Sequence, residues 1–566
     1  MKFPKRKDGI WIIILSFIVL IPNIFLFFMA NTYVYEGGFA ERLLFLFASF
    51  ALFLLPSFFL KVRTFFLVHG FFVLLSPFET AHIYVSKAPM TSAFFATVFE
   101  TSLGESIELL SSIFPLILAE LALWFFYFYI GLKKLDNTWF WHSKKVRYYT
   151  LGASALVFSI IVMAVSVSLN KLHPSEKIYK TTIGNLKKGF NKIYPYNLLI
   201  KTYEIVKKEI DISKKADDFT AFGFGASKHL PISEREVYVF VIGETGRYEN
   251  FSINGYRRQT SPLLEQTENL LSFSELYSEA NLTHLSIPII LTRASAVDFK
   301  RYYGEKTFVD AFKEAGFKTY WIGNQSMRNE FVQRTAHDTD GAFFAPIDFD
   351  PKNNYDETLW IYLNDILKKE EQKVLIVIHT LGSHFRYDAR YPKAFDKFRP
   401  SLNERDKKNV ISPEFKEILT NTYDNSILYT DYFLANTIGK IDSLDAVSAF
   451  MYVADHGENL YDTEDLIVLH ANSTPTVYDF HVPMFVWTSE KYKLRYPDKV
   501  SNLERNKDKK ISTSYIFQSF LDLGDIHFSE EEEEKSILSD KLTEDSIHYI
   551  LQTDMHIKAF ETRIKE

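Results

Sequence analysis

Three metal-binding side-chain types and one hydroxyl carry the chemistry legible in this sequence. Glu244 stands in Gly243-Glu244-Thr245, directly after an apolar run, and Asp455-His456-Gly457-Glu458 follows another. An oxygen and a nitrogen ligand side by side, with a glycine permitting a tight turn, suit a borderline cation such as Zn²⁺. Alone, Asp-His-Gly describes a surface turn equally well. A carboxylate at a second strand end makes it a candidate metal site. Thr283 lies in Asn281-Leu282-Thr283-His284-Leu285-Ser286-Ile287-Pro288, at the expected start of a helix. A hydroxyl there meets a local positive potential that favours phosphate. Thr is a poor nucleophile by itself, and direct metal coordination stabilises its alkoxide. The other reading of Thr283 is a simple helix cap. His379, His384, His470 and His481 complete the set. Each alone is compatible with a structural role; several returning to strand ends indicate a polar cleft that binds an anion.

These positions require a scaffold that brings strand ends together. From Val237 onward, short apolar runs alternate with helical stretches: Val237–Ile242, Thr319–Ile322, Val374–His379, Ser448–Ala454 and Val482–Trp487. Runs of this length, apolar on both faces, read as buried strands of a mainly parallel sheet in an α/β domain. Ligands of such sheets bind beyond the carboxyl ends of the strands, where most of the polar residues above fall. The acidic run Glu530–Glu534 reads as a solvated face.

Upstream, the composition changes. The chain holds 53 Phe among 566 residues, many crowded into its first third. A membrane helix needs about 20 mostly apolar residues. Five stretches approach this: Gly9–Met29, Leu43–Leu60, Phe65–Phe78 with its flanks, Ser112–Leu132 and Leu151–Leu169. The third also reads as a buried helix or a re-entrant segment. The first follows Lys2, Lys5, Arg6 and Lys7, but its apolar run is too long for a cleaved signal, so an uncleaved anchor is expected. Lys and Arg collect at the N-terminus, at Lys61 and Arg63, and at Lys133, Lys134, Lys144, Lys145 and Arg147. By the positive-inside rule these segments face the cytoplasm, and everything after Leu169 lies outside it. Glu120, within the fourth span, is expected to face a polar neighbour in the bundle interior. The expected organisation is a transmembrane domain over 1–170, a linker with amphipathic helices over 171–232 and a catalytic domain over 233–566. The linker, with Lys187, Lys188, Lys192, Lys207 and Lys208, reads either as a solvated connector or as helices on an anionic membrane surface.

A net charge of −6 and the lack of a basic arm exclude nucleic acid as the expected partner. The absence of Cys excludes disulfides and thiolate metal sites.

Taken in order, the motifs match a family. Gly243-Glu244-Thr245-Gly246-Arg247-Tyr248-Glu249-Asn250-Phe251-Ser252 with Asn254-Gly255-Tyr256 resembles the opening motif of the bacterial lipid A and lipopolysaccharide phosphoethanolamine transferases, membrane-bound members of the sulfatase and alkaline phosphatase superfamily. The resemblance continues through Thr283 to Pro288, Leu381-Gly382-Ser383-His384 with Tyr391-Pro392, and Tyr423-Asp424-Asn425-Ser426. It ends with Asp455 to Leu460, Leu469-His470 and His481-Val482-Pro483, and the loop Val98-Phe99-Glu100-Thr101 with Glu105 is similar too. It implies a sulfatase-like α/β domain on a bundle of about five membrane helices. It also implies one zinc held by Glu244, Thr283, Asp455 and His456, with a second metal left open. Thr283 would be the nucleophile that becomes phosphoethanolaminylated, and His384 and His470 would hold phosphoryl oxygens or the second metal. Asn324 and Arg328, near Trp321, correspond loosely to a polar segment of the family, and His481 and Glu105 join the expected substrate-binding set. The departure is the lack of Cys, since well-known members brace this domain with disulfides.

The implied reaction moves phosphoethanolamine from phosphatidylethanolamine to lipopolysaccharide or a related envelope glycan, at the periplasmic face of the bacterial inner membrane. A phosphoglycerol transferase, a sulfatase-like hydrolase and a non-enzymatic envelope protein are the competing readings. Thr rather than Cys or Ser at 283 argues against the hydrolase, since sulfatases make formylglycine from one of those two.

Overall fold

The computed structural model describes residues 6–30, 34–35, 38–92, 95, 114–139, 143–145, 147–152, 189–229, 233–325, 330–345, 354–404, 412–472 and 475–560. They fall into two compact units, one from the chain up to Lys207 and one from Lys208 onward.

Long apolar helices dominate the first unit. α1 (Arg6–Val19) and α2 (Ile21–Met29) form one apolar stretch broken at Leu20 and bent by 58°. Pro22 opens α2, where its missing N–H and its ring both prevent the preceding helix from running on. The expected first span is therefore a broken one. α3 (Gly38–Leu54) runs on as a 3₁₀ turn to Phe58, and α4 (Val62–Ser86) has 25 residues. By length and hydropathy, two of the described helices can cross a membrane, Gly38–Phe58 and Val62–Ser86, and the bent pair adds a third if it is one span. α5 (Phe114–Lys133) is a further apolar helix. The fifth expected span lies outside the described residues beyond Gly152. Leu15, Val19, Phe53, Phe65, Phe66, Val73, Tyr127 and Ile130 pack where α1, α3, α4 and α5 meet. Glu120 finds the polar neighbour expected of it: Ser76 Oγ donates to its Oε2 at 3.0 Å. α6 (Tyr196–Lys214) leaves this unit and continues into the second.

The second unit is built on a seven-stranded sheet. Its strands are β1 (Glu236–Gly243), β2 (Leu270–Phe273), β3 (Lys318–Gly323), β4 (Gly341–Phe344), β5 (Lys373–His379), β6 (Val447–Ala454) and β7 (Met484–Thr488). The spatial order is β2-β7-β6-β1-β5-β3-β4. β6, β1, β5, β3 and β4 are parallel, and β7 and β2 add an antiparallel edge. All eight residues of β1 and of β6 are buried, as strands covered on both faces must be. The five expected strands are all present, and only the run at 482–487 joins antiparallel. Two edge strands, β2 and β4, were too short and mixed in polarity to read from sequence. Register places the chemistry. Gly243 pairs with Ala454, and Ile242 pairs with His379, so the residues after β1, β5 and β6 emerge side by side.

The acidic run is a solvated face. Glu530 pairs with Arg293, Glu531 with His527, Glu532 with Lys535 and Glu533 with Lys541.

Candidate active site

Parallel pairing of β1 with β6 puts Glu244 beside Asp455-His456. The ladder runs one step past the strands, with Asp455 N–H donating to Gly243 O at 3.0 Å. Two glycines permit the approach. A Cβ on Gly457 would stand 2.0 Å from Tyr478 O, and one on Gly382 would stand 2.7 Å from Glu244 O. Gly457 is therefore required by close packing against the chain around Tyr478. Thr245 takes a left-handed φ of 58°, a conformation that costs a non-glycine residue on the order of 1 kcal/mol or more. It is held there from both sides. Its N–H donates to Asp455 Oδ1 at 3.1 Å, and its carbonyl accepts from Tyr423 Oη at 2.7 Å.

Glu244, Asp455 and His456 each offer a ligand atom, all within 4.8 Å of one another. Asp455 Oδ1 accepts from the N–H groups of Thr245 and His456, while Oδ2 has no hydrogen-bond partner among the described residues although the residue is fully buried. His456 Nδ1 lies 2.9 Å from Gly457 O, so Nδ1 carries a proton and Nε2 is the nitrogen that faces the carboxylates. Nε2 is 3.4 Å from Asp455 Oδ2 and 3.6 Å from Glu244 Oε1. Burial first, and then the Glu244 charge, push the Asp455 carboxyl up. Burial acts to raise Glu244 as well, but His456, His384 and His470 outweigh it and hold that carboxyl low. An orphaned carboxylate oxygen and an oriented imidazole nitrogen, converging under cover, fit a metal ion.

Thr283 heads α7 (Thr283–Leu291) and is half-buried. Its Oγ1 lies 3.2 Å from His456 Nε2 and 3.3 and 3.5 Å from the two Glu244 oxygens. A capping role would send that hydroxyl to the helix's own N–H groups; instead it turns to the ligand cluster. The first turn of α7 also offers a favourable field to an anion at the hydroxyl.

Residues 236–526 match the sulfatase family model, over half of the chain. The chain belongs to the sulfatase family. Among curated relatives, phosphoethanolamine transferase EptC of Escherichia coli is 26% identical over 79% of this chain and 77% of its own. Kdo(2)-lipid A phosphoethanolamine 7''-transferase of Salmonella typhimurium is 34% identical over 45% of this chain and 44% of its own. Among solved structures, the integral membrane protein lipooligosaccharide phosphoethanolamine transferase A (EptA) from Neisseria meningitidis shares the fold. The TM-score is 0.72 and the identity 22%, over 93% of this chain and 98% of that one. The chain is thus an apolar-helix segment followed by a sulfatase-family catalytic domain.

Within this sulfatase-family site, the structure gathers some of the expected residues and separates others. His470 lies against His456, ring centroids 4.2 Å apart, and His384 stands 6.3 Å from His470. His470 Nδ1 is 3.4 Å from Glu458 Oε1, and burial followed by the His456 charge pushes His470 down. Asn324 turns away from Glu244. Its Nδ2 donates to Asn354 O and to Asp356 Oδ1, and Asp356 in turn accepts from the N–H groups of Leu381 and Gly382. It therefore shapes the loop after β5. Arg328, Glu100 and Glu105 lie outside the described residues. His379 is buried at right angles to Trp321, and burial pushes it down to about 4.

His481 has both ring nitrogens engaged and none to offer a substrate. Nδ1 is 2.7 Å from Glu249 Oε1 and Nε2 is 2.9 Å from Ser274 O, and the ring is stacked between Tyr248 and Tyr277. Two acceptors require two donors, which only the imidazolium provides. Burial opposes that charge, but Glu249, Ser274 and Glu275 outweigh it and raise the pKa. A raised folded pKa contributes stability that is complete below the unfolded value of about 6.5 and is lost as pH climbs through the folded value. His481→Gln is expected to be less stable than wild type by about 1–3 kcal/mol at pH 6, with the gap closing toward pH 9. Denaturant melts at the two pH values check this, and a gap independent of pH would contradict it.

Gln325 carries a role that no sequence signal beyond its place next to Asn324 indicated. Its Nε2 donates to Glu244 Oε2 at 2.8 Å and to Thr380 O at 3.0 Å. Supporting hydrogen bonds of this kind orient a ligand, and their removal typically costs 10–100-fold in metal affinity. Gln325→Ala is expected to weaken zinc retention by roughly that factor, read by competition with a chelator, with the fold intact.

Proposed function

We propose that this chain transfers phosphoethanolamine from phosphatidylethanolamine to lipopolysaccharide, on lipid A or core, or to a related envelope glycan. The supporting observation is the Thr283 hydroxyl at the start of α7, within 3.5 Å of both Glu244 and His456. A hydroxyl at a metal-capable cluster and a helix N-terminus is arranged for phosphoryl transfer. Among sulfatase-family activities, the relatives' names select phosphoethanolamine as the transferred group.

In the first half-reaction Thr283 Oγ1 attacks phosphorus in line, the bond from phosphorus to the glycerol oxygen breaks, and diacylglycerol leaves carrying, in net terms, the threonine proton. An oxygen of an acceptor hydroxyl or phosphate group then attacks the phosphothreonine, the bond from phosphorus to Thr283 Oγ1 breaks, and the proton given up by the acceptor returns, in net terms, to the threonine. Glu244, Asp455 and His456, with Thr283, would hold one zinc, which when bound supplies positive charge for the threonine alkoxide and the phosphoryl oxygens. His384 and His470 stand beside this cluster, placed for phosphoryl oxygens of the donor. The catalytic domain lies at the periplasmic face of the inner membrane, where donor lipid and acceptor meet. The carboxylates Glu100 and Glu105 are assigned to the donor's ammonium group.

Mass spectrometry of lipid A and core, from cells with and without the gene, tests this reading. The expected result is a gain of one phosphoethanolamine group that disappears on deletion. A glycerol phosphate in its place would make the chain a phosphoglycerol transferase. An unchanged envelope in cells that express the full chain would overturn the reading.

A further inference from the structure

α6 carries a polar face that the packing of its own unit accounts for and, opposite it, an apolar one. On the first face, Asn197 and Lys201 are buried against α4: Asn197 Nδ2 donates to Glu79 Oε1 at 2.8 Å, and Lys201 Nζ pairs with Glu79 Oε2 at 3.3 Å. Met90 N–H completes the Glu79 carboxylate at 3.1 Å. The turn before the helix is fixed as firmly. Asn23 exchanges two hydrogen bonds with the backbone of Tyr194, and Tyr196 Oη donates to Leu52 O. The start of α6 is thereby locked among the helices that are long and apolar enough to cross a membrane.

Nothing among the described residues covers the second face. Leu199, Tyr203, Val206 and Ile210 are 58%, 64%, 50% and 48% exposed. At 3.6 residues per turn these four fall within about 60° of one another, on the side opposite Asn197 and Lys201. Exposed apolar residues are common singly, but a line of four along three turns is not what a solvated connector needs. Lys207 and Lys214 follow along one edge of the line, both exposed, in the half of the helix farther from its anchored start. Long cationic side chains beside an apolar stripe lay their stems on acyl chains and extend their ammonium groups to phosphates. In the same unit Phe39, Leu43, Leu44, Phe47 and Phe50 of α3 are exposed as well, apolar surface of the kind a membrane-crossing helix turns to lipid.

We propose that this face of α6 rests on the phospholipid bilayer, with Leu199 and Tyr203 among the acyl chains and Ile210, between Lys207 and Lys214, at the headgroup level. The occupant is the membrane itself, and the proposal rests on membrane insertion of the first unit and not on the transfer reaction.

The lack of any Cys gives a clean test. Leu199→Cys, Tyr203→Cys, Val206→Cys, Ile210→Cys and, off the stripe, Glu209→Cys are spin-labelled in the full chain. Each is placed in nanodiscs of phosphatidylethanolamine and phosphatidylglycerol, and collision with oxygen is compared with collision with a water-soluble nickel chelate. The four stripe labels are expected to favour oxygen over nickel several-fold more than the label at 209, with 199 and 203 the deepest. Equal nickel access at all five positions would place the face in water and overturn the proposal. Spin–spin broadening along the stripe that disappears on dilution with unlabelled chain would assign the face to a second copy, and would overturn it as well. Four independent stripe positions keep the test decisive if one variant misfolds.

Discussion

Thr283→Ala is expected to remove phosphoethanolamine transfer almost entirely, by roughly three to six orders of magnitude, as loss of a covalent nucleophile does elsewhere. The expectation rests on what the hydroxyl touches. Among the described residues it bonds to Glu244 Oε1, Glu244 Oε2 and His456 Nε2, and none of them is a helix N–H that the side chain would cap. The fold has little stake in the group. α7 is carried by the buried side chains Leu285, Ile287, Ile289, Ile290 and Leu291, and Thr283 is half-buried at its end. The variant is therefore expected to unfold within about 1 kcal/mol of wild type, the usual worth of a single hydrogen bond. Two measurements separate chemistry from folding. Wild-type chain quenched during turnover should yield a peptide around residue 283 that carries phosphoethanolamine, and the Ala variant should not. Near-normal transfer by Thr283→Ala would mean that another group attacks phosphorus.

The chemistry was legible in the sequence wherever it sits on a buried strand. Runs such as Val237–Ile242 and Ser448–Ala454 are apolar on both faces, which only the centre of a parallel sheet tolerates, and the polar residue that ends such a run must emerge at the carboxyl edge. Glu244 and Asp455 become candidates by that rule taken together, before any family resemblance is weighed. Register is what sequence withholds. That Gly243 pairs with Ala454, and so places Glu244 next to Asp455, depends on strand order, and nothing local in the chain encodes strand order. The same limit explains the residues that sequence assigned differently. His481 follows its neighbours in a motif, yet its ring is enclosed by Tyr248, Tyr277 and Glu249, which come from elsewhere in the chain. Asn324 and Gln325 are adjacent and chemically alike. Which of them reaches Glu244 is decided by the direction of one backbone step after β3, which leaves Asn324 on Asp356 and Gln325 on Glu244. The break at Leu20 was missed for a related reason. A proline near the start of a helix reads as permissive, and only the angle to the preceding helix shows that it ends one segment and begins another.

Asp455→Asn separates the metal from the fold more sharply than any other substitution in the site. Asp455 uses its two oxygens differently: Oδ1 accepts from Thr245 N–H and His456 N–H, and Oδ2 accepts nothing from the described residues. Asparagine can present its carbonyl oxygen to the same two N–H groups and keep the turn, including the strained Thr245. It then offers an amide nitrogen where the carboxylate oxygen stood, and an amide nitrogen has no lone pair for a cation. The expected result is loss of most bound zinc and of transfer together, with the apo protein at least as stable as wild type. Stability is retained because burial and the Glu244 charge already oppose a charged Asp455, and the substitution removes that opposition. Melting with and without a chelator reads the difference. A ligand present at about 100 times its dissociation constant stabilises the folded state by about 2.7 kcal/mol, so the chelator should lower the melting temperature of wild type and leave Asp455→Asn unmoved. A wild-type chain whose melting ignores both added zinc and chelator would remove the metal from the site. A variant that retains zinc would shift the essential ligands to Glu244 and His456. Asp455→Ala should lose the metal as well, but it also strips both N–H groups of their acceptor and unpins Thr245, so it alone should destabilise the apo protein, by roughly 1–3 kcal/mol.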